Sequence, residues 1–304
     1  MRKPYLLALS LLIGLLALLA LISGPASSVE AGPNDLDVIF YFPSITKNYN
    51  PSAIPVTLIG HVVQANGDGP IQDAMVCVSE HCDTTDSQGY YELNNVLSGF
   101  RHLSVVAFGW IPISENAYLP PDAISEMHIA MAIDTLPVNT LQIVLTWKAP
   151  WNTVTPKGDL DAHLWITNTL WADAFHIDAS DETSYHDCYL SPYACYILDD
   201  DVQDGYGPET IMVSQPQDDR SLFAVANYYS GYPGVPNTTQ TGATVRVFKG
   251  TQHINTFLVP STGTGDLWYV FDILKKGDVP EIVPVNCITI LPLSPSVLPA
   301  CAPP

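Results

Sequence analysis

Apolar residues recur at every second position through most of the chain. In VTLIGHVVQ, residues Val56, Leu58, Gly60 and Val62 share one side. The later segment ISEMHIAMAI repeats the alternation with Met127, Ile129, Met131 and Ile133. Turn-forming segments such as ANGDGP, with its Asn-Gly and Asp-Gly pairs, separate these runs. Short alternating runs between turns are typical of all-β proteins, and we predict a β-sandwich over residues 55–136.

The same pattern continues in the second half of the chain, where DLDAHLWI has two distinct faces. One face carries Asp159, Asp161, His163 and Trp165. The other, apolar face carries Leu160, Ala162, Leu164 and Ile166. Further strand-like segments follow, with aromatic residues set among turn residues. We therefore predict a second β-sandwich over residues 137–274, in tandem with the first.

Both ends of the chain differ from these segments. Arg2 and Lys3 precede a long apolar run and then small residues, and this order predicts a secretory signal peptide over residues 1–26. An uncleaved signal anchor is the alternative, because the run is nearly long enough to span a bilayer. Residues 27–54 are interpreted as a linker, and the Pro-rich residues 275–304 as a linker or stalk. We expect a secreted or cell-surface protein with no membrane span in the mature chain.

The charge of the chain restricts its partners. Its 304 residues include 31 acidic and 11 basic ones, for a formal net charge of -20. Neutralising a phosphate backbone needs clusters of Lys and Arg, so nucleic acid is excluded as a partner. The acidity suits an exported protein that stays soluble or holds divalent cations. The partner is then a surface polymer or another protein that the sequence does not identify.

The cysteines form three local pairs, which are Cys77 with Cys82, Cys188 with Cys195, and Cys287 with Cys301. An even number of cysteines in an exported chain predicts short-range disulfides, although the sequence leaves other pairings open. None of the pairs has the CxxC spacing of structural zinc sites, which disfavours a zinc–cysteine site.

The first predicted sandwich resembles a known family. It carries GHVVQANGDGPIQDAMVCV and then TTDSQGYYELNNVLSGFRHLSVVAFGW. This order of strand glycine, GPI turn and D-x-x-G-Y turn resembles the carboxypeptidase regulatory-like domain. The resemblance covers residues 55–134. It implies a small transthyretin-like sandwich without peptidase chemistry.

The second predicted sandwich resembles another family. It carries DLDAHLW, LDDDVQDGYGPETI, FAVANYYSG and WYVFDI in that order. This order resembles the YfaP-type domain, a bacterial domain of unknown function found in exported proteins. The resemblance covers residues 139–274. It implies fold and location and assigns no activity.

Carboxylates crowd the loop LDDDVQDGYGPETI, and the DLDAH segment supplies two more. Calcium is held by about six to eight oxygen ligands, often from flexible acidic loops. We predict calcium as the candidate cofactor of this acidic region. Its candidate ligands are Asp159, Asp161, Asp199, Asp201, Asp204 and Glu209. The spacing is not that of an EF-hand, and carboxylates that cap turns and face water are the alternative interpretation.

Three side chains are candidate ligand contacts, namely His163, Tyr228 and Tyr229. His163 could ligate a transition metal with Asp161 and with His176 or His186. A hydrogen bond to a neighbouring carboxylate is the more common role of a single strand histidine. Only one of the two adjacent tyrosines can face the core, which leaves the other for a partner.

No catalytic residue is assigned, because nucleophile-elbow, H-E-x-x-H and P-loop motifs are absent from the sequence. We expect an exported, non-catalytic surface or extracellular protein with a binding or structural role. The alternative is an accessory or targeting module of an extracellular hydrolase, or a weak hydrolase. Such a hydrolase would use a carboxylate pair such as Asp161 and Glu209.

Overall fold

The computed structural model describes the chain from residue 53 onward, with gaps. The described residues are 53–67, 69–148, 159–167, 175–178, 195–198, 202, 206–214, 220–228, 230, 235–276, 279–292 and 298–301. The predicted signal peptide and nearly all of the predicted linker lie outside them. So do Asp199, Asp201, Asp204, Tyr229, His186 and Cys188. In the described segments, no helix has the length and apolar character needed to cross a membrane.

The first sandwich has eight described strands. They are β1 (Pro55–Gln64), β2 (Met75–Val78), β3 (His81–Thr84), β4 (Tyr90–Leu97), β5 (Gly99–Val106), β6 (Ile113–Leu119), β7 (Ile124–Glu126) and β8 (Ile129–Met131). In one sheet β1 pairs antiparallel with β4 and parallel with β7 and β8. The other sheet has the antiparallel order β3-β2-β5-β6. Cys77 and Cys82 lie directly opposite each other on β2 and β3 and form a disulfide.

Burial follows the predicted alternation in β1 but not in β8. Val56, Leu58 and Val62 on one side of β1 are buried, as the pattern predicts. In β8, however, all three residues from Ile129 to Met131 are fully buried, so the alternation predicted there is wrong. The reason is tertiary, because residues of the second sandwich pack into the same apolar cluster. Strand β8 is thereby covered on both faces.

The second sandwich has ten described strands. They are β9 (Thr140–Thr146), β10 (Asp161–Thr167), β11 (Phe175–Ile177), β12 (Cys195–Leu198), β13 (Glu209–Ser214), β14 (Arg220–Ala226), β15 (Thr244–Lys249), β16 (Gln252–Leu258), β17 (Leu267–Lys276) and β18 (Val279–Thr289). One sheet has the order β11-β10-β14-β17-β18 and the other β12-β13-β9-β15-β16. The apolar face of β10 packs in the main core, while Trp165 on its other face joins a separate cluster.

The prediction of a linker or stalk over residues 275–304 is wrong for its first half. Val279–Thr289 forms β18, which pairs antiparallel with β17. Its prolines are tolerated because, among the described strands, β18 lies at the edge of its sheet and pairs with β17 alone. The Cys287–Cys301 disulfide brings the end of the chain back, and Leu298 packs against the cluster that contains Trp165.

A buried ion pair joins the two sandwiches. Arg246 of β15 is 1% exposed, and its guanidinium donates to Glu115 of β6 at 2.7 and 3.2 Å. The hydroxyl of Thr256 also donates to Glu115. Burial opposes ionisation of Glu115, but the charge and hydrogen bonds of Arg246 outweigh it, and the pKa of the carboxyl lies below its ordinary value.

We expect Glu115→Gln to lower the free energy of unfolding by about 3–5 kcal/mol, because it leaves a buried guanidinium without its counter-charge. Chemical denaturation of the purified protein measures this loss. The Glu115 pKa is lower in the folded than in the unfolded protein, so its stabilisation is complete above the unfolded pKa, near 4.5, and is lost as the pH falls through the folded value. The difference between wild type and variant should therefore shrink in acid.

The matched control is Arg220→Gln. Arg220 pairs with Asp272 at 3.0 Å, but its side chain is 44% exposed. Water screens this pair, and the expected loss is about 1 kcal/mol or less. Equal losses for the two variants would contradict the role given to Glu115, as would a Glu115→Gln effect that does not change with pH.

Candidate metal centre

Three acidic side chains from two sheets converge in the second sandwich. Asp159 lies two residues before Asp161, the first residue of β10, and Glu209 is the first residue of β13 in the opposite sheet. One carboxylate oxygen from each residue lies within 4.8 Å of the other two. The three residues are 7%, 4% and 1% exposed, respectively. We call these residues the acidic trio.

Glu209 ties the two sheets together at this point. Its Oε2 accepts a hydrogen bond of 2.7 Å from the backbone N–H of Ala162 in β10. Through its backbone, Glu209 pairs with Leu145 of β9 in the other sheet. A charge-assisted bond from a carboxylate to a backbone amide is stronger than a neutral one. Glu209 is therefore fixed relative to both sheets.

The residues just before Glu209 direct it into this position. The backbone N–H of Trp147 donates to the carbonyl of Tyr206 at 3.1 Å. Gly207 has φ +81°, and a Cβ there would lie 2.8 Å from the Trp147 ring and 2.9 Å from the Leu145 carbonyl. Only glycine fits both this backbone conformation and this close approach. The peptide bond to Pro208 is cis.

The same loop reaches the first sandwich. The ring of Tyr206 stacks on His128 with centroids 3.7 Å apart, and His61 stacks on both rings at about 5.5 Å. The Oε1 atom of Glu126 lies 2.9 Å from the Nε2 atom of His128. Burial and the nearby His128 lower the pKa of His61. The loop that carries Glu209 is thus packed against aromatic rings of the other sandwich.

The chemistry of the acidic trio suits a hard cation. Three carboxylates at such short separations repel one another strongly when they are buried, since the interior screens charge poorly. The repulsion is relieved by a cation or by shared protons. Oxygen donors of this kind are the ligands that calcium prefers in proteins. Of the six predicted ligands, the structure brings three together, and the others lie outside the described residues.

A second polar group continues along β10 and on to β11. His163 Nδ1 lies 2.8 Å from His176 Nε2, and His176 Nδ1 lies 3.4 Å from Asp178 Oδ2. On the other side, the hydroxyl of Tyr228 lies 3.4 Å from His163 Nε2. Trp165 stacks on His176 with centroids 4.3 Å apart. We call His163, His176, Asp178 and Tyr228 the histidine line.

Burial controls ionisation along the histidine line. Burial, and next the neighbouring His176, lower the pKa of His163 to about 3. Burial raises the pKa of Tyr228, and the charge of Asp161 raises it further. Both groups are therefore neutral at ordinary pH. The neutral phenol of Tyr228 and the neutral imidazole of His163 can share one hydrogen bond.

Sequence reasoning found some of these residues and missed others. It named the acidic trio, His163, and Tyr228, which is 48% exposed. It missed Asp178 and the contact of Tyr206 with His128. The available signal for Tyr206 was its place between two glycines, where a large aromatic ring is unusual for a simple turn.

No protein-family model matches the chain, and the search of curated proteins finds no relative. The two family resemblances of the sequence therefore stay predictions. Similarity to solved structures is low. The chain is 12% identical to a homologue of the telluride resistance protein TerD from Streptomyces coelicolor, with 50% of this chain and 92% of that chain covered and a TM-score of 0.38.

Two other solved structures are similar over part of their length. One is a putative carbohydrate binding protein from Bacteroides uniformis, at 8% identity, with 64% of this chain and 98% of that chain covered and a TM-score of 0.23. The other is a type II cohesin–X-dockerin complex from Acetivibrio cellulolyticus, at 17% identity and a TM-score of 0.23. That match covers 27% of the present chain and 60% of the chain in the complex. TM-scores this low support no inference about function.

We expect Gly207→Ala to destabilise the protein by about 2–5 kcal/mol. Part of the cost is the positive φ, about 1–2 kcal/mol, and the rest is the forced shift of Trp147 or of the Leu145 backbone. Gly109→Ala is the control, because Gly109 has a similar φ of +84° but nothing within 4 Å of an added Cβ. Denaturant unfolding of both variants measures the difference. Equal losses would show that close packing at Gly207 does not matter.

Proposed function

We propose that this chain is an exported, non-catalytic protein with a binding or structural role at the cell surface. We further propose that Ca²⁺, held by Asp159, Asp161 and Glu209, stabilises its second sandwich. The predicted signal peptide, the Cys77–Cys82 disulfide and the Cys287–Cys301 disulfide support export, because disulfides persist in oxidising compartments. The resemblance to the YfaP-type and carboxypeptidase regulatory-like domains supports the same location.

The observation that carries the calcium proposal is the burial of the acidic trio. The three carboxylates are at most 7% exposed, and one oxygen of each lies within 4.8 Å of the others. When ionised they repel one another, and a bound divalent cation would remove this repulsion. Oxygen ligands alone favour Ca²⁺ or Mg²⁺ over transition metals. Water molecules can supply the remaining ligands that Ca²⁺ needs.

The place of the acidic trio in the fold explains what the ion would do. Asp161 belongs to one sheet and Glu209 to the other. An ion bound to both holds the sheets at a fixed separation. It also fixes the loop whose Tyr206 stacks on His128 of the first sandwich. Calcium would therefore stiffen the second sandwich and its junction with the first.

Burial also supports a non-catalytic role. Asp161 and Glu209, the pair suggested for a hydrolase, are only 4% and 1% exposed, which leaves little access for a polymer substrate. Exposed aromatic rings support a binding role instead. The rings of Phe100 and Tyr118 contact each other at a tilt of 56° on the surface of the first sandwich, with centroids 5.1 Å apart. Exposed apolar groups of this kind can mark interaction sites.

We expect millimolar Ca²⁺ to raise the melting temperature of the purified protein above its value in excess EDTA. A ligand at a hundred times its Kd stabilises the folded state by about 2.7 kcal/mol, or about 5–10 °C for a unit of this size. Asp161→Asn should abolish the rise. It should also raise the melting temperature in EDTA, because it removes one of three mutually repelling charges. Differential scanning calorimetry measures both effects.

Asp122→Asn is the matched control, because Asp122 is exposed in the first sandwich. It should leave both melting temperatures and the calcium response unchanged. The calcium proposal fails if wild type melts at the same temperature in EDTA and in Ca²⁺. It also fails if Asp161→Asn responds to Ca²⁺ as wild type does.

The non-catalytic role has its own test. We expect the purified protein to hydrolyse neither peptide nor polysaccharide substrates at a rate above background, because the candidate carboxylates are buried. A chromogenic substrate panel with and without Ca²⁺ measures this. Turnover that disappears in Asp161→Asn would favour the hydrolase instead.

A further inference from the structure

The histidine line offers a second set of metal donors, which the calcium proposal does not use. One nitrogen of His163, one nitrogen of His176 and one carboxylate oxygen of Asp178 lie within 4.8 Å of one another. From these residues we infer a separate zinc site, with His163, His176 and Asp178 as its protein ligands. This site adjoins the acidic trio, because His163 is the next residue after Asp161 on the same face of β10.

The strand pairing holds the two imidazoles in place. Strands β10 and β11 are antiparallel neighbours, with Trp165 opposite His176. The ring of His163 is fully buried, and Trp165 stacks on both histidine rings. Asp178 follows His176 by two residues. Ligands fixed in this way lose little side-chain freedom when they bind an ion.

The donor types select a different metal from that of the acidic trio. Two imidazole nitrogens and one carboxylate are a ligand set that suits Zn²⁺, whereas Ca²⁺ takes oxygen ligands. Catalytic and other open zinc sites commonly have three protein ligands and a water molecule. The two proposed sites on β10 therefore differ in chemistry, and each can be tested without the other.

The local geometry accepts the ion after the two rings separate and the Asp178 carboxylate, whose Oδ2 lies 3.4 Å from His176 Nδ1, turns towards the nitrogen of that ring that binds the metal. His163 Nδ1 and His176 Nε2 are 2.8 Å apart, a hydrogen-bond distance, whereas ligand atoms of tetrahedral zinc are about 3.3 Å apart. The rings must separate by about half an ångström. When Nδ1 of His163 binds the metal, the proton of that ring resides on Nε2. It is then donated to the hydroxyl oxygen of Tyr228, 3.4 Å away in the metal-free protein.

The test uses the full protein, stripped with EDTA and returned to buffer that contains millimolar Ca²⁺. Zn²⁺ is added at micromolar free concentration, and bound metal is measured by mass spectrometry after equilibrium dialysis. We expect one zinc per chain. His176→Gln should weaken zinc binding by about 100-fold or more, and Asp178→Asn by at least about 10-fold. Cobalt substituted for zinc should give the visible absorption of a four-coordinate site.

The control is His102→Gln, because His102 lies exposed in the first sandwich beside Ser114. It should leave zinc binding unchanged. Asp161→Asn, which removes the calcium response, should leave the zinc stoichiometry at one per chain. Circular dichroism reports folding, and Asp178→Asn serves as the decisive variant if His176→Gln does not fold. The inference is overturned if the folded protein binds no stoichiometric zinc, or if both variants bind it as wild type does.

Discussion

The buried pair of Arg246 and Glu115 is the constraint on which the arrangement of the two sandwiches depends. Each charge would be costly to bury alone, since an uncompensated ion in the interior loses its hydration. Arg246 belongs to the second sandwich and Glu115 to the first, so each charge is compensated only when the sandwiches are in contact. The apolar cluster around β8, which contains Val144 and Phe248, reinforces the same contact.

The loop 206–209 connects the polar face of β10 to the junction between the two sandwiches. Glu209 binds the Ala162 amide of β10, and Tyr206, three residues earlier, stacks on His128 of the first sandwich. Gly207 allows the sharp approach between them. A change in the charge of the acidic trio therefore acts on a loop that both sandwiches hold. This connection gives the proposed calcium site a structural consequence beyond its own ligands.

In the second sandwich, both proposed sites use polar side chains of β10, and the opposite face of this strand packs in the apolar core. Leu164 and Ile166 face the main apolar cluster, while His163 faces His176 on β11 and Tyr228, two residues after the end of β14. The sheet fixes the backbone, and the alternation of the strand then fixes which side chains meet. Two proposed sites with different donors thus use Asp161 and His163, two residues apart on the same face of β10.

Sequence by itself determined the all-β class, the strand spacing and the two faces of β10, because alternation depends only on the local backbone. It also named Asp161 and Glu209 as partners across a distance of 48 residues, from their charge and the turn between them. It could not place Glu115 opposite Arg246 or Tyr206 on His128, and it assigned β18 to a tail. These depend on which surfaces meet and which strand is at an edge. Only the packing of distant segments decides them, because the burial that makes such contacts favourable does not exist until the chain has folded.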